Sequence, residues 1–201
     1  MVTARFPAVD GMAVDVMERV LAHPPTLGHG RLVCVDGPAG SGKTTLGAAL
    51  RRAARDLLAA DGSVSLLHMD NVYAGWGGLE TGMATVATSV VEPLRHGRPG
   101  RYRRFDWHAM AFAEEHVVHP VDVLVVEGVG SGAAAYDDAI TSLVWVDTPS
   151  DVRLDRGIAR DGERLRKHWL VWREAEDAMF ARERTRERAD VVVDGVSARR
   201  L

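Results

Sequence analysis

The stretch Leu32-Val33-Cys34-Val35-Asp36-Gly37-Pro38-Ala39-Gly40-Ser41-Gly42-Lys43-Thr44 decides the fold. It opens on an apolar run without polar alternation, as expected of a strand covered on both faces. The eight residues from Gly37 fit G-x-x-x-x-G-K-[ST] in full, and residues 44–60, rich in Ala, Leu and Arg, read as the helix that must follow. Glycines let the backbone curl so that successive N–H groups point inward, and the start of a helix adds partial positive charge. The expected phosphate contacts, on ATP, are Gly37, Ala39, Gly40, Ser41, Gly42, Lys43, Thr44 and Thr45. Lys43 would reach the outer phosphates, and the Thr44 hydroxyl would ligate Mg²⁺. The pattern identifies phosphate binding strongly and the reaction weakly, because switches, motors and kinases share it.

Outward from this loop, the same grammar repeats. Residues 64–69, 121–127, 143–147 and 189–194 are short Val-rich runs that read as buried strands. Helical patterns occupy 10–22, 83–96, 150–160 and 163–188. Strands alternating with helices imply a three-layer α/β P-loop NTPase, with a five-stranded parallel sheet and right-handed crossovers. Residues 101–120 break the rhythm: Tyr102, Phe105, Trp107, Phe112 and Val117 interleave with charges, which reads as a small β-hairpin excursion. With 201 residues and no clear linker, the chain is expected to be one domain over 1–201.

Bulk properties exclude several classes. The net charge is -3 with 26% charged residues, so neither disorder nor a general attraction to nucleic acid is indicated. The single cysteine, Cys34, has no partner for an intrachain disulfide and lies in an apolar run, which fits a core position in a reducing cytoplasm. No run approaches the roughly 20 apolar residues that cross a bilayer, and no basic segment leads into an apolar leader, so no membrane is expected and the protein is read as cytoplasmic. Only two of the 25 basic residues are lysines, Lys43 and Lys167. A chain that prefers Arg has kept a compact ammonium in its glycine loop.

Two carboxylates stand where chemistry is expected. Asp70 follows the second strand and Glu127 ends the third, so both fall at the carboxyl ends of strands, where ligands bind in open α/β sheets. Phosphoryl transfer needs one group to orient or deprotonate an acceptor hydroxyl and another to help hold Mg²⁺. As isolated acids they would equally serve as turn or cap residues. Arg101-Tyr102-Arg103-Arg104-Phe105-Asp106-Trp107 mixes cations, rings and a carboxylate, which suits a polar acceptor, though an exposed hairpin with solvated charges would look the same. Tyr73 and Trp76 are either pocket walls or packing. Trp169 and Trp172, three apart on a helix, read as packing, and Arg182 to Arg188 with Glu183 and Glu187 as a solvated helix face. His116 and His119 lack a second ligand pair for zinc.

Gly37 to Thr44, Asp70-Asn71-Val72-Tyr73, Arg104-Phe105-Asp106-Trp107 and Glu127-Gly128 follow one another in the order and approximate spacing of the uridine kinase-like P-loop kinases. That group includes phosphoribulokinase, pantothenate kinase and nicotinamide riboside kinase, and the resemblance covers roughly residues 32–161. It implies that Lys43, Asp70 and Glu127 are catalytic, Asp70 as base and Glu127 with Thr44 at the metal. It implies that Asp106 contacts substrate hydroxyls, with Tyr73, Arg104 and Trp107 beside the acceptor. Arg153, Arg156 and Arg160 share a helical face, and the resemblance makes Arg156 and Arg160 the arginines of a lid, about 153–166, that closes over ATP. Arg153 fits that role or a solvated face paired with Asp151 and Asp155. Two features depart from the group: Val72 stands where an aromatic is usual, and Ala74-Gly75-Trp76-Gly77-Gly78 marks a subgroup.

The expected function is therefore Mg²⁺-dependent transfer of the γ-phosphoryl of ATP to a hydroxyl of a small metabolite, first of all a nucleoside such as uridine. A nucleoside monophosphate, sugar or pantothenate-type kinase remains open, with Arg103 and Arg104 holding an acceptor phosphate in the first case. So does a nucleotide-dependent switch or accessory ATPase, although no Asn-Lys-x-Asp or Leu-Ser-Gly-Gly motif is present. The expected partner is a small-molecule acceptor, with a homodimer left open.

Overall fold

A computed structural model describes residues 7–197 and 199–200. In chain order the elements are α1 (Pro7–Ala22), β1 (Arg31–Asp36), α2 (Lys43–Leu57), β2 (Val64–His68), α3 (Leu79–Thr85), α4 (Glu92–Arg95), β3 (Gly100–Asp106), β4 (Ala111–Val118), β5 (Val123–Glu127) and β6 (Ile140–Asp147). They continue as α5 (Ser150–Asp161), α6 (Arg166–Glu183), α7 (Thr185–Arg188), β7 (Val191–Asp194) and β8 (Arg199–Arg200). The main sheet runs β2-β5-β1-β6-β7-β8. Its first five strands are mutually parallel, as the apolar runs require, and the two-residue β8 pairs antiparallel to β7. That edge strand is too short and too charged to be recognised as a strand from its residues. Among the described residues no helix is long and apolar enough to cross a membrane.

Period-two alternation along β1 builds the layers. Leu32 and Cys34 enter one buried cluster with Tyr73, Val90, Leu124, Val126 and Trp172. Val33 and Val35 enter the other, with Met17 of α1, Leu50 of α2, Val123 and Val125. Both faces of the central strand are thus sealed, and Cys34 is core, as its apolar setting indicated. Because β1 lies between β5 and β6 while β2 is reached by stepping over β5, strand order reverses at the end of β1. The crevice outside its carboxyl end is where open α/β sheets take ligands.

Some expected boundaries move for local reasons. The helix read from residue 83 begins at Leu79, with Gly82 inside it: a Cβ there would lie 2.6 Å from Cδ1 of Tyr73, so the glycine serves close packing and not a stop. A six-residue π-helical stretch, Val86–Val91, joins α3 to α4. The 163–188 pattern is divided into a 3₁₀ turn (Glu163–Leu165), α6 and α7, the last break falling at Arg184, which adopts φ 52°. The hairpin is present, with Tyr102 opposite His116 and Phe105 opposite Phe112.

The end of β7 closes on the glycine loop. A Cβ built on Gly195 would stand 2.2 Å from the Ser41 carbonyl oxygen and 2.2 Å from Thr148 Oγ1. Gly195→Ala should therefore lower stability by roughly 2 kcal/mol, the range of overpacked buried sites. Urea unfolding would measure it, and a neutral effect would contradict this packing.

Candidate active site

The glycine loop leaves β1 at Asp36, and what happens to that carboxylate shapes the site. It is wholly buried, and it accepts the N–H of Gly37 (2.7 Å), Gly130 (2.9 Å) and Gly132 (2.8 Å). One side chain thus ties the phosphate loop to the glycine turn that follows β5. Burial outweighs the three donors and raises its pKa to about 6.

The loop itself curls through positive φ at Gly37 (139°), Gly40 (80°) and Gly42 (106°). Gly40 also has no room for a side chain, since a Cβ would sit 2.5 Å from the Arg153 carbonyl oxygen. Among the described residues, the N–H groups of Gly42, Lys43 and Thr44 meet no protein acceptor, and they stand at the start of the 15-residue helix α2. Such an arrangement is an anion cradle. Lys43 is buried and its ammonium donates to the Pro38 carbonyl oxygen at 2.9 Å. Burial pulls its pKa down against the attraction of Glu127 and Glu176.

Thr44 and Glu127 meet as expected: the Thr44 hydroxyl lies 3.2 and 3.3 Å from the two carboxylate oxygens. Glu127 is buried at the end of β5, and His68 Nδ1, at the end of β2, lies 2.5 Å from its Oε1. That hydrogen bond raises the His68 pKa above its ordinary value. Asp70 sits in the adjoining 3₁₀ turn, Met69–Asn71, with its carboxyl open to the crevice. Desolvation by the surrounding walls and the nearby Glu127 charge raise its pKa.

Lys43, Thr44, Thr45, Asp70, Glu127, Arg156 and Arg160 all line one cavity of about 830 Å³. Its far wall is aromatic. Trp76 meets the rings of Trp107, Trp169 and Trp172 edge to face at centroid distances of 5.5, 6.2 and 6.2 Å. Trp107 is fixed beside Asp70 by donating its indole N–H to the Asp70 carbonyl oxygen at 2.8 Å. Tyr73 also lines the cavity, but its hydroxyl is committed to the Val129 carbonyl oxygen at 2.6 Å. Trp169 and Trp172 both pack, as their spacing indicated, and line the cavity besides.

Two expected acceptor residues lie outside that lining. Arg104 pairs with Glu114 through Nε at 2.6 Å, and Asp106 caps the hairpin turn by accepting the N–H of His108 (2.9 Å) and Ala109 (3.0 Å). The cap holds the Asp106 pKa down. Arg103 is likewise spent on the Phe112 and Ala113 carbonyls. Arg153 is buried against Glu176 at 2.9 Å, which removes it from any solvated face. On the same helix, Gly157 touches Trp169 so closely that a Cβ would stand 2.5 Å from the indole.

Sequence reasoning missed Asp36, His68 and Glu176. His68 alternates with buried strand residues and would have been found by asking which side chain flanks Glu127 across β2 and β5, whose register pairs the two. Glu176, in a run of helical charges, carries no local signal.

No family model matches this sequence, and no curated protein matches it. Solved structures do. A candidate uridine kinase from Bacillus stearothermophilus superposes over 92% of this chain and 98% of its own, with TM-score 0.66 and 21% identity. A candidate fructose transport system kinase from Silicibacter sp. TM1040 superposes over 90% and 94%, with TM-score 0.57 and 20% identity. The fold is that of the P-loop kinases. At this identity the likeness concerns the fold, and the chemistry rests on the cavity.

Asp36 yields a pH dependence with a definite sign. Its folded pKa, about 6, exceeds the unfolded 3.8, so its contribution is full below pH 3.8 and is lost as pH rises through 6. Wild type should lose about 1 kcal/mol of stability relative to Asp36→Asn from pH 5 to 7. Denaturant titrations at the two pH values would test this, and a relative gain by wild type would contradict it.

Proposed function

We propose that the protein is a kinase that transfers the γ-phosphoryl of ATP to a hydroxyl of a small acceptor. The observation that carries this reading is the convergence of an anion cradle, the Thr44–Glu127 pair and the raised-pKa Asp70 on one cavity with an aromatic far wall. A switch or accessory ATPase has no use for that walled space beside a base.

In the proposed step the acceptor oxygen attacks the γ-phosphorus, the new O–P bond forms as the bond to the β-phosphate oxygen breaks, and ADP leaves. Asp70 takes the hydroxyl proton. A base works best with a pKa moved toward the operating pH, the direction in which burial and Glu127 move Asp70. Lys43 would exchange the Pro38 carbonyl for phosphate oxygens, and Arg156 and Arg160 would add charge from the side of α5. Arg156 Nη1 lies 3.4 Å from the Gly40 carbonyl oxygen and 3.2 Å from that of Gly195. It thus stands between the main cavity and a second one of about 490 Å³, bounded by Val9, Met12, Leu46 and Val196. Apolar walls next to the phosphate loop suit the base of the nucleotide.

The donor set also fits Mg²⁺. A hydroxyl and a carboxylate, both hard oxygens, stand together at the cradle, and a magnesium site needs little more from protein once phosphates and waters complete it. Thr44 and Glu127 would hold the ion, which would neutralise charge developing on the phosphates.

For the acceptor, a nucleoside such as uridine remains the first candidate, received against Trp76 and Trp107. Asp106 spends Oδ1 on the hairpin turn, so it would meet such hydroxyls through Oδ2, whose neighbour is Arg104 at 3.4 Å. An acceptor phosphate is less favoured, because Arg103 and Arg104 are engaged within the hairpin. Such an enzyme would work on a small cytoplasmic metabolite.

Asp70→Asn should lower kcat by about 10²- to 10⁴-fold, the usual worth of a positioned base. Its MgATP affinity should stay within about threefold of wild type. A coupled assay for ADP, run on acceptors first selected by thermal shift from nucleosides, nucleotides, sugars and pantothenate, would decide. Undiminished turnover in the variant would remove Asp70 from the mechanism.

A further inference from the structure

Glu176 is a carboxylate with no exposure to solvent, ten residues into α6 and far in sequence from every motif. Oε2 accepts the backbone N–H of Ala39, inside the phosphate loop, at 2.8 Å, and the indole N–H of Trp172 at 3.1 Å. Oε1 accepts Nη1 of Arg153, on α5, at 2.9 Å. Arg153 in turn donates from Nε to the Thr148 carbonyl oxygen at 3.1 Å. Two separate elements, the donor loop and the helix that carries Arg156 and Arg160, therefore end on one buried side chain of α6, which also holds Trp172 of its own helix, part of the aromatic wall.

We propose that Glu176 is a positioning residue for phosphoryl transfer, which sets the shape of the phosphate loop through Ala39 and couples it to Trp172 and α5. This rests on the kinase reading above. The chemistry at the junction makes the carboxylate hard to replace. All three partners are donors, so an acceptor-only group satisfies them all, whereas an amide must turn its NH₂ toward at least one of them. A core filler would not need this arrangement. Burying a charge demands full compensation, and here one of the compensating donors is a main-chain N–H of the loop. With Ala39 held, the neighbouring N–H groups of Gly42, Lys43 and Thr44 are free to face the ligand.

The fold contribution and the loop contribution separate in a double variant. Glu176→Gln should weaken MgATP binding at least tenfold, and should weaken inorganic triphosphate by a similar factor, because the loop and not the base is disturbed. Replacing both members of the ion pair, Arg153→Met with Glu176→Met, fills the same space with apolar atoms and removes the unpaired charge. Its Tm should rise above that of Glu176→Gln, short of wild type because the Ala39 and Trp172 N–H groups stay unpaired, while triphosphate affinity stays low. Isothermal titration with both ligands and a thermal melt of each variant give the answer.

Recovery of affinity together with Tm in the double variant would overturn the proposal, as would unchanged affinity in Glu176→Gln. If Glu176→Gln does not fold, Glu176→Asp keeps the charge near Arg153 but shortens the reach to Ala39, and the same loss of affinity is expected. Failure of both to fold would assign Glu176 to the fold alone and also overturn the proposal. A wild type that binds no MgATP would instead strike at the kinase reading.

Discussion

The site depends on a negative charge in the wrong place for a solvent to reach. Asp36 ends the central strand, and its two carboxylate oxygens collect N–H groups from the loop that would receive phosphate and from the turn after β5. The donating residues, Gly37, Gly130 and Gly132, have no side chains with which to hold one another. Their backbone dipoles must be satisfied by something once buried, and a single acceptor-only group satisfies all three at once. The cost is visible in the elevated pKa of the group. What it secures is the relative placement of Thr44, on one segment, and Glu127, at the start of the other.

A second constraint acts at right angles to the first. Strand register places His68 opposite Glu127, so a residue from β2 steadies the carboxylate from the side while Thr44 approaches from the loop. Asp70 then follows two residues beyond His68. The two acids of the site are thus neighbours because two parallel strands are in register, not because the loops between them happen to meet. Desolvation raises the pKa of Asp70 first, and the neighbouring Glu127 charge adds to it.

Much of this was legible in the residues. The glycine pattern, the Val-rich runs and the positions of Asp70 and Glu127 at strand ends carried the parallel sheet and the core of the site, because each follows from local period and chain direction. The hairpin was legible too, from the alternation of Tyr102, Phe105 and Phe112 with charges. What the residues concealed was pairing at long range. Arg153 fitted either a lid or a solvated face, since helical spacing is blind to what lies opposite, and it is buried against Glu176 from another helix. Asp106, expected at substrate hydroxyls, also closes through Oδ1 a turn two and three residues ahead, a local pairing that its residue type alone does not announce. The split of the 163–188 pattern at Arg184 had no glycine or proline to announce it.

The contact between Gly157 and Trp169 has a mechanical meaning. An indole seats on the helix at the one place without a side chain, as a key in a slot. Trp169 also stands edge to face with Trp76 at the acceptor side. In the proposed kinase, a motion that brought Arg156 and Arg160 toward the phosphates would therefore reshape the space on the opposite side of Asp70 in the same stroke. On the proposed kinase reading the two halves of the crevice would be geared, so that gripping one substrate and fitting the other would be a single movement.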